Sequence, residues 1–245
     1  MSTIHNIVSI FEHFTDQLNF DKTNFSDSSV WNKINDSIRR IYRIDNFLGS
    51  DFNVIEKQPL FDNYYYREGS ICQINEEIIG YKIIDLIEVE FIKFYPNIIC
   101  RLYEEGFLEL DMKSEPYYYF VKHSEQIKPL LSNDGRIVFN LYINYFFGWK
   151  LNKEDKTKVV GRGYQICEIF TKYEGWIYTD TDHFFIKDRI GLTNELKKEL
   201  EYLDLPYEIK LIKEAVFYGR KKFFYIDENE KGKMRGFLTK PKNKK

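Results

Sequence analysis

Trp176-Ile177-Tyr178-Thr179-Asp180-Thr181-Asp182-His183-Phe184-Phe185 is the stretch on which the fold turns. Aromatic and β-branched residues alternate on either side of a short polar turn, a pattern that predicts two paired strands. Side chains at i and i+2 share a strand face, so Asp180 and Asp182 are expected to project together from one edge. Two carboxylates so placed could hold a divalent ion. Magnesium takes hard oxygen ligands, commonly one or two protein carboxylates, and leaves room for substrate phosphates. The plainer alternative is turn chemistry, because Asp and Thr side chains bond their own backbone.

Outward from the hairpin, the spacing predicts helices on both sides. Ile166, Ile169, Phe170 and Tyr173 form a helical stripe before it. Leu192, Leu196, Leu200 and Leu203 form another after it, ended by Pro206. The N-terminal region reads as helical too, with Ile4, Ile7, Val8, Phe11 and Leu18 at helical spacing. Val30, Ile34, Ile38 and Ile41 repeat the pattern after the capping-type cluster Ser26-Asp27-Ser28-Ser29. These N-terminal helices either pack on the rest of the chain or form an interface with another subunit. The order is β–helix–β–β–helix–β, an α+β class.

Composition bounds the rest. Hydrophobic residues make up 43% and aromatic residues 18% of 245. So large an aromatic share excludes a disordered chain and can supply a substantial core. No apolar run approaches the roughly 20 residues that span a bilayer, so no membrane role is expected. Nothing at the N-terminus resembles a secretion signal, and an intracellular, non-secreted protein is expected. Cys72, Cys100 and Cys167 are odd in number and far apart, which predicts buried thiols rather than disulfides or a zinc site. His5, His13, His123 and His183 are as scattered, so a structural metal is not expected.

Five segments in one order resemble family B DNA polymerases, over roughly residues 64 to 240. Tyr178 to Asp182 resembles motif C, Tyr-x-Asp-Thr-Asp-Ser, up to its last position. Glu90-Phe91-Ile92-Lys93-Phe94-Tyr95-Pro96-Asn97-Ile98-Ile99 resembles motif A, Asp-x-x-Ser-Leu-Tyr-Pro-Ser-Ile. Asn140-Leu-Tyr-Ile-Asn144-Tyr145-Phe146-Phe147-Gly148 is similar to motif B, Lys-x3-Asn-Ser-x-Tyr-Gly, in eroded form. Tyr66-Arg67-Glu68-Gly69 resembles the Tyr-x-Gly-Gly segment ahead of the palm. Gly219-Arg220-Lys221-Lys222-Phe223-Phe224 resembles the Lys-Lys-x-Tyr segment, with Arg235-Gly236-Phe237 behind it.

The resemblance implies a polymerase palm, a ferredoxin-like antiparallel sheet backed by helices, with N-terminal helices and a short fingers insertion. The domains expected are an N-terminal helical region 1–60, a palm 61–106 and 150–240, reduced fingers 107–149 and a basic tail 241–245. It implies catalysis and magnesium or manganese binding by Glu90, Asp180 and Asp182. It implies nucleotide contacts by Tyr95, Arg136 and Asn144, Tyr95 closing off the sugar 2′ position in favour of deoxyribonucleotides. DNA contacts fall to Tyr66, Gly69, Lys221 and Lys222. The partners implied are primer-template DNA and deoxynucleoside triphosphates, with a protein partner supplying thumb or exonuclease, both expected to be absent here.

Several positions depart from the family pattern. Glu90 replaces Asp in motif A and lengthens the carboxylate's reach by one bond of about 1.5 Å. A misplacement of about 1 Å can cost on the order of 10²-fold in rate. Asn140 replaces the motif B lysine that contacts the triphosphate, and Arg136, one turn earlier on the same face, is the candidate to supply that charge. His183 replaces the Ser that closes motif C. Lys93 replaces a Ser in motif A and either faces a phosphate or points to solvent. The formal net charge of −2 does not favour nucleic acid, although basic residues gather at Arg220-Lys221-Lys222 and from Lys231 to Lys245. Two functions therefore follow from the sequence: template-directed deoxynucleotidyl transfer by a minimal or split polymerase, or a catalytically inactive DNA-binding or scaffold subunit of a replication complex.

Overall fold

The computed structural model describes residues 3–17, 33–34, 36, 56–61, 71–109, 115–149 and 151–237. It divides into two compact units, Met1–Pro59 with Tyr95–Lys156, and Leu60–Phe94 with Thr157–Lys245. Tyr66, Gly69, Leu18, Val30, Ile38, Ile41 and the tail 241–245 lie outside the described residues.

The first unit is helical. It holds α1 (Thr3–Gln17), α2 (Phe94–Glu104) from Tyr95 onward, α3 (Glu115–Lys122), α4 (Ser124–Ile127) and α5 (Asn133–Trp149). Of the stripe expected on α1, Ile7 and Phe11 are buried and Ile4 and Val8 half-buried. Phe11 is fully buried and meets Phe139 edge-on at 5.0 Å, with Phe120 and Tyr142 each at 5.7 Å. The N-terminal helix is thus part of the core that contains α3 and α5. Glu12 fastens it further, accepting hydrogen bonds from the backbone N–H and hydroxyl of Ser132 at the start of α5, where a carboxylate favours the unpaired N–H groups of a helix N-terminus.

The second unit is a seven-stranded antiparallel sheet with two helices, α6 (Lys153–Thr171), which enters it at Thr157, and α7 (Leu192–Leu203). Its strands are β1 (Cys72–Ile74), β2 (Lys82–Phe91), β3 (Trp176–Asp180), β4 (His183–Lys187), β5 (Tyr207–Gly219), β6 (Lys222–Asp227) and β7 (Gly232–Arg235), in the order β1-β3-β4-β2-β5-β6-β7. Strand β2 is the spine, pairing with β4 and β5. Period-two alternation gives it two faces. Ile87, Val89 and Phe91 face one way, and Phe91 contacts Phe94, Phe170 of α6 and Phe184 of β4 with centroids 5.4, 5.8 and 5.6 Å apart. On α7, Leu192, Leu196, Leu200 and Leu203 are all fully buried, as their spacing predicts. Among the described residues, no helix is long and apolar enough to cross a membrane.

Leu86, Glu88 and Glu90 face the other way, into a concave side. The sheet curls so far that strands distant in its order meet across this concavity. Tyr178 of β3 lies 5.2 Å from Phe217 of β5 and 5.6 Å from Phe223 of β6, ring to ring. Its hydroxyl accepts a hydrogen bond from the Lys221 N–H at 3.0 Å. Gly236 tightens the far edge: at φ +76°, a Cβ there would stand 2.0 Å from the Lys221 carbonyl oxygen. Only glycine fits that approach. An aromatic cluster of Tyr178, Phe185, Phe217, Phe223 and Tyr225 fills the curl.

Candidate functional site

The acidic stretch forms the tight hairpin its sequence predicts, β3 and β4 joined by Thr181 and Asp182. Thr181 takes the left-handed φ of 61°, uncommon for a β-branched residue. Its N–H is anchored on the Ile71 carbonyl at 2.8 Å, and the Asp182 carbonyl accepts from the Phe91 N–H at 2.8 Å. The turn is therefore tied to the end of β2, and Glu90 stands directly across from His183.

That left-handed residue changes where the two aspartates point. The i, i+2 rule holds within a strand, and β3 ends at Asp180. Asp180 is buried in the curl with its Oδ2 3.1 Å from Nη1 of Arg235 on β7. Asp182, about one-third exposed, presents Oδ1 to Nε2 of His183 at 3.6 Å. Glu90 reaches the same imidazole nitrogen at 3.8 Å with Oε1, while its Oε2 is ion-paired to Lys210 of β5. Glu90 and Asp182 thus converge on His183, and Asp180 is turned to an arginine.

Glu88 completes the cluster. It is fully buried, yet it carries a charge network: Oε1 lies 2.9 Å from Nδ1 of His183, and Oε2 accepts from the Tyr225 hydroxyl at 2.9 Å. Burial pushes the Glu88 carboxyl up, but His183, Lys233 and Tyr225 together outweigh it and hold the group below its ordinary range. The reverse holds at Asp182, where burial and the Glu90 charge raise the carboxyl against His183, its own backbone and Arg235. Lys210 is held above its ordinary range: burial lowers it, and Glu90, Glu88 and Glu208 overcome that. One ligand atom each from Glu88, Glu90 and His183 lies within 4.8 Å of the others, close enough together to meet at one ion, and neither Asp180 nor Asp182 belongs to that cluster.

The remaining candidates lie as follows. In the helical unit, the Tyr95 ring stacks on Phe147 at 4.6 Å with 4° between planes. The Arg136 guanidinium donates to the carbonyls of Lys128 and Leu131 at 2.8 and 3.1 Å, and Asn144 is exposed on α5. In the sheet unit, Lys221 and Lys222 are exposed at the β5–β6 turn, and the Lys222 ammonium sits 5.1 Å over the Phe237 ring. Lys93 adopts a φ of 50° between β2 and α2. Cys72, Cys100 and Cys167 are buried free thiols.

Sequence reasoning missed Glu88 and read His183 only as a departure. The signal for Glu88 was present, a second carboxylate two residues before Glu90 on one strand face. For His183, nothing local points across 95 residues to its partner.

No family model matches the sequence, and no curated protein matches it. Solved structures do. A family B DNA polymerase from the hyperthermophilic archaeon Pyrobaculum calidifontis superposes with a TM-score of 0.51 at 18% identity, over 82% of this chain and 32% of that one. Phi29 DNA polymerase complexed with primer-template DNA gives a TM-score of 0.51 at 10% identity, over 84% of this chain and 60% of that one. The fold is polymerase-like. This polymerase-like chain spans about a third and about three-fifths of the lengths of those two proteins.

Proposed function

We propose that this chain is a DNA polymerase-like protein that binds primer-template DNA and transfers deoxynucleotides, with Glu90 and Asp182 as the carboxylates of a divalent-metal site and Asp180 supporting them from behind. The observation that carries this reading is the convergence of Glu90 and Asp182, from separate parts of the sheet, within 4 Å of one imidazole nitrogen. Carboxylates brought together from a strand end and the neighbouring hairpin turn are what a metal-assisted phosphoryl transfer needs.

In that transfer the primer 3′-hydroxyl gives up its proton to solvent water, its oxygen forms a bond to the α-phosphorus, the bond from the α-phosphorus to the bridging oxygen breaks, and pyrophosphate leaves with that oxygen. Magnesium or manganese, when bound, would stabilise the charge on attacking and leaving oxygens. Glu90 and Asp182 would hold the ion, and Lys210 keeps Glu90 in place through its other oxygen. Asp180, paired with Arg235, serves to fix the hairpin. Tyr95, braced on Phe147, is the sugar-selecting ring, while Lys221, Lys222, Tyr66 and Gly69 contact DNA. A protein supplying thumb or exonuclease completes the assembly.

A second reading has its own support. Lys210 on Glu90 and Arg235 on Asp180 already neutralise two of the three carboxylates. A noncatalytic DNA-binding or scaffold subunit would need no more. Primer extension with magnesium and then manganese separates the two, with Asp182→Asn as the control. Extension by the wild-type chain that vanishes in Asp182→Asn supports the enzyme. DNA binding without extension, unchanged by that substitution, supports the scaffold.

A further inference from the structure

We propose that Tyr178 is a positioning residue for nucleic acid: its buried hydroxyl holds the β5–β6 turn so that Arg220, Lys221 and Lys222 meet a sugar–phosphate backbone in register with the acidic hairpin. This rests on the reading of Lys221 and Lys222 as DNA contacts, and it adds the residue that sets their place.

The turn needs support from outside itself. Gly219 pairs with Lys222, so Arg220 and Lys221 alone close it. Lys221 takes a φ of 58°, a left-handed backbone that lysine seldom adopts. Arg220, Lys221 and Lys222 are all exposed, and three adjacent cations repel one another. In a chain of net charge −2 they make a local basic point that phosphate oxygens would neutralise.

Tyr178 supplies the support. Its side chain is fully buried in the curl, and its hydroxyl accepts the Lys221 N–H at 3.0 Å across 43 residues of chain. The same oxygen lies 3.6 Å from Sγ of Cys72, so the hydroxyl has a second polar neighbour on β1. The Lys221 carbonyl packs against Gly236. Lys221 is therefore held at its N–H by one element and at its carbonyl by another. Lys222 is aimed by Phe237, whose ring lies 5.1 Å from the ammonium and meets Tyr218 edge-on at 5.4 Å.

Tyr178 also ties this turn to the acidic hairpin. Tyr178 and Asp180 stand two apart on β3 and share its face toward the curl. Tyr178 holds Lys221, and Asp180 holds Arg235, the residue before Gly236. Two struts from one strand thus fix the basic turn relative to the hairpin. A backbone gripped by Lys221 and Lys222 then enters at a set distance from the carboxylates. Phenylalanine at position 178 fills the same space but leaves the Lys221 N–H without its acceptor, and the turn shifts to pair it elsewhere.

The test is fluorescence anisotropy of a labelled primer-template duplex with the full chain across a salt series. Tyr178→Phe is expected to weaken binding about 3- to 10-fold and to flatten the slope of log affinity against log salt by about 0.9, the share of one phosphate contact. On a Lys221→Ala/Lys222→Ala background the same change is expected to add nothing, because the groups it positions are gone. A tyrosine that only packs the core would lower the unfolding midpoint in Tyr178→Phe and leave affinity and slope unchanged, which overturns the proposal. Circular dichroism checks the fold of each variant. Amide exchange of the wild-type chain tests the strut without any variant: slow exchange of the Lys221 N–H is expected, and exchange at the rate of an open turn overturns the proposal. Affinity lost in the lysine variants but kept in Tyr178→Phe overturns this inference alone and leaves the lysines as DNA contacts. No DNA binding by the wild type, or binding unchanged by the lysine substitutions, overturns both. Primer extension is scored separately, and its absence beside the expected binding results upholds Tyr178 and sinks the catalytic reading.

Discussion

Arg235 Nη1 lies 3.1 Å from Asp180 Oδ2 and joins the last strand of the sheet to the acidic hairpin. The Asp180 side chain is 2% exposed and that of Arg235 43%, so one charge is buried and its partner reaches it from solvent. Removing the arginine leaves a buried anion uncompensated, a defect worth about 3–5 kcal/mol for fully buried pairs. With Arg235 half in water, Arg235→Ala is expected to cost about 1–3 kcal/mol. Urea unfolding measures it. A loss below 0.5 kcal/mol would show that Asp180 does not depend on this partner.

Gly236 makes that reach possible, and its substitution should be worse than a surface change. Gly236→Ala places a methyl carbon 2.0 Å from the Lys221 carbonyl oxygen in a left-handed backbone. The β5–β6 turn must yield, and an unfolding free energy lower by at least about 1–2 kcal/mol is expected. Unfolding of Gly236→Ala and Arg235→Ala alone and combined would show sub-additive losses if both act by releasing the same edge.

Lys210 competes with any cation for Glu90. Its ammonium ion-pairs with Oε2, while Oε1 faces His183. Lys210→Met therefore removes a repulsive charge next to the proposed metal position. At about 1 kcal/mol of Coulomb energy in a well-solvated cleft, divalent binding should tighten roughly fivefold. Isothermal titration with manganese checks the direction. Weaker binding would mean that Lys210 acts mainly to orient the carboxylate.

How far the fold was legible in the sequence depends on the range of the interaction. The hairpin, the buried stripe of α7 and the core face of α1 follow from local periodicity, and each was readable from residues a few positions apart. The curl of the sheet was not, because it rests on Tyr178 meeting Phe217 and Phe223, and on Gly236 meeting Lys221, contacts that no local pattern encodes. The candidate site divides the same way. Glu90, Asp180 and Asp182 stand out by motif, whereas Glu88 looks like an ordinary polar residue until register places it behind His183. The i, i+2 reasoning for Asp180 and Asp182 stops at Thr181, where a left-handed residue ends the strand.

In the helical unit, Glu104 predicts an acid-sensitive step. It is buried, accepts from the Tyr118 hydroxyl at 2.7 Å and pairs with Lys122 at 2.5 Å and Lys57 at 3.2 Å. Burial raises its carboxyl, but Lys122, Tyr118 and Lys57 outweigh that and hold it below its ordinary value of 4.5. A group depressed in the folded state contributes stability above its unfolded pKa and loses it as pH falls through the folded one. Wild-type stability should therefore drop on acidification below about pH 4.5, by more than in Glu104→Gln. Parallel pH profiles of the two would remove Glu104 as the cause.

Tyr95 and Phe147 offer a test that distinguishes selection from stability. Their rings stack at 4.6 Å and nearly parallel, which fixes the tyrosine plane and adds about 0.5–1.5 kcal/mol beyond area burial. If Tyr95 selects the sugar, loosening its support should relax selection without removing the ring. Phe147→Ala is expected to raise the ribonucleotide share of incorporation about tenfold, and Phe147→Tyr, which keeps the stack, to leave it unchanged. Thermal unfolding of both variants gives the stability change separately. Relaxed selection in Phe147→Ala alone would tie discrimination to the stacked geometry, whereas equal selection in both would place the discriminating contact elsewhere.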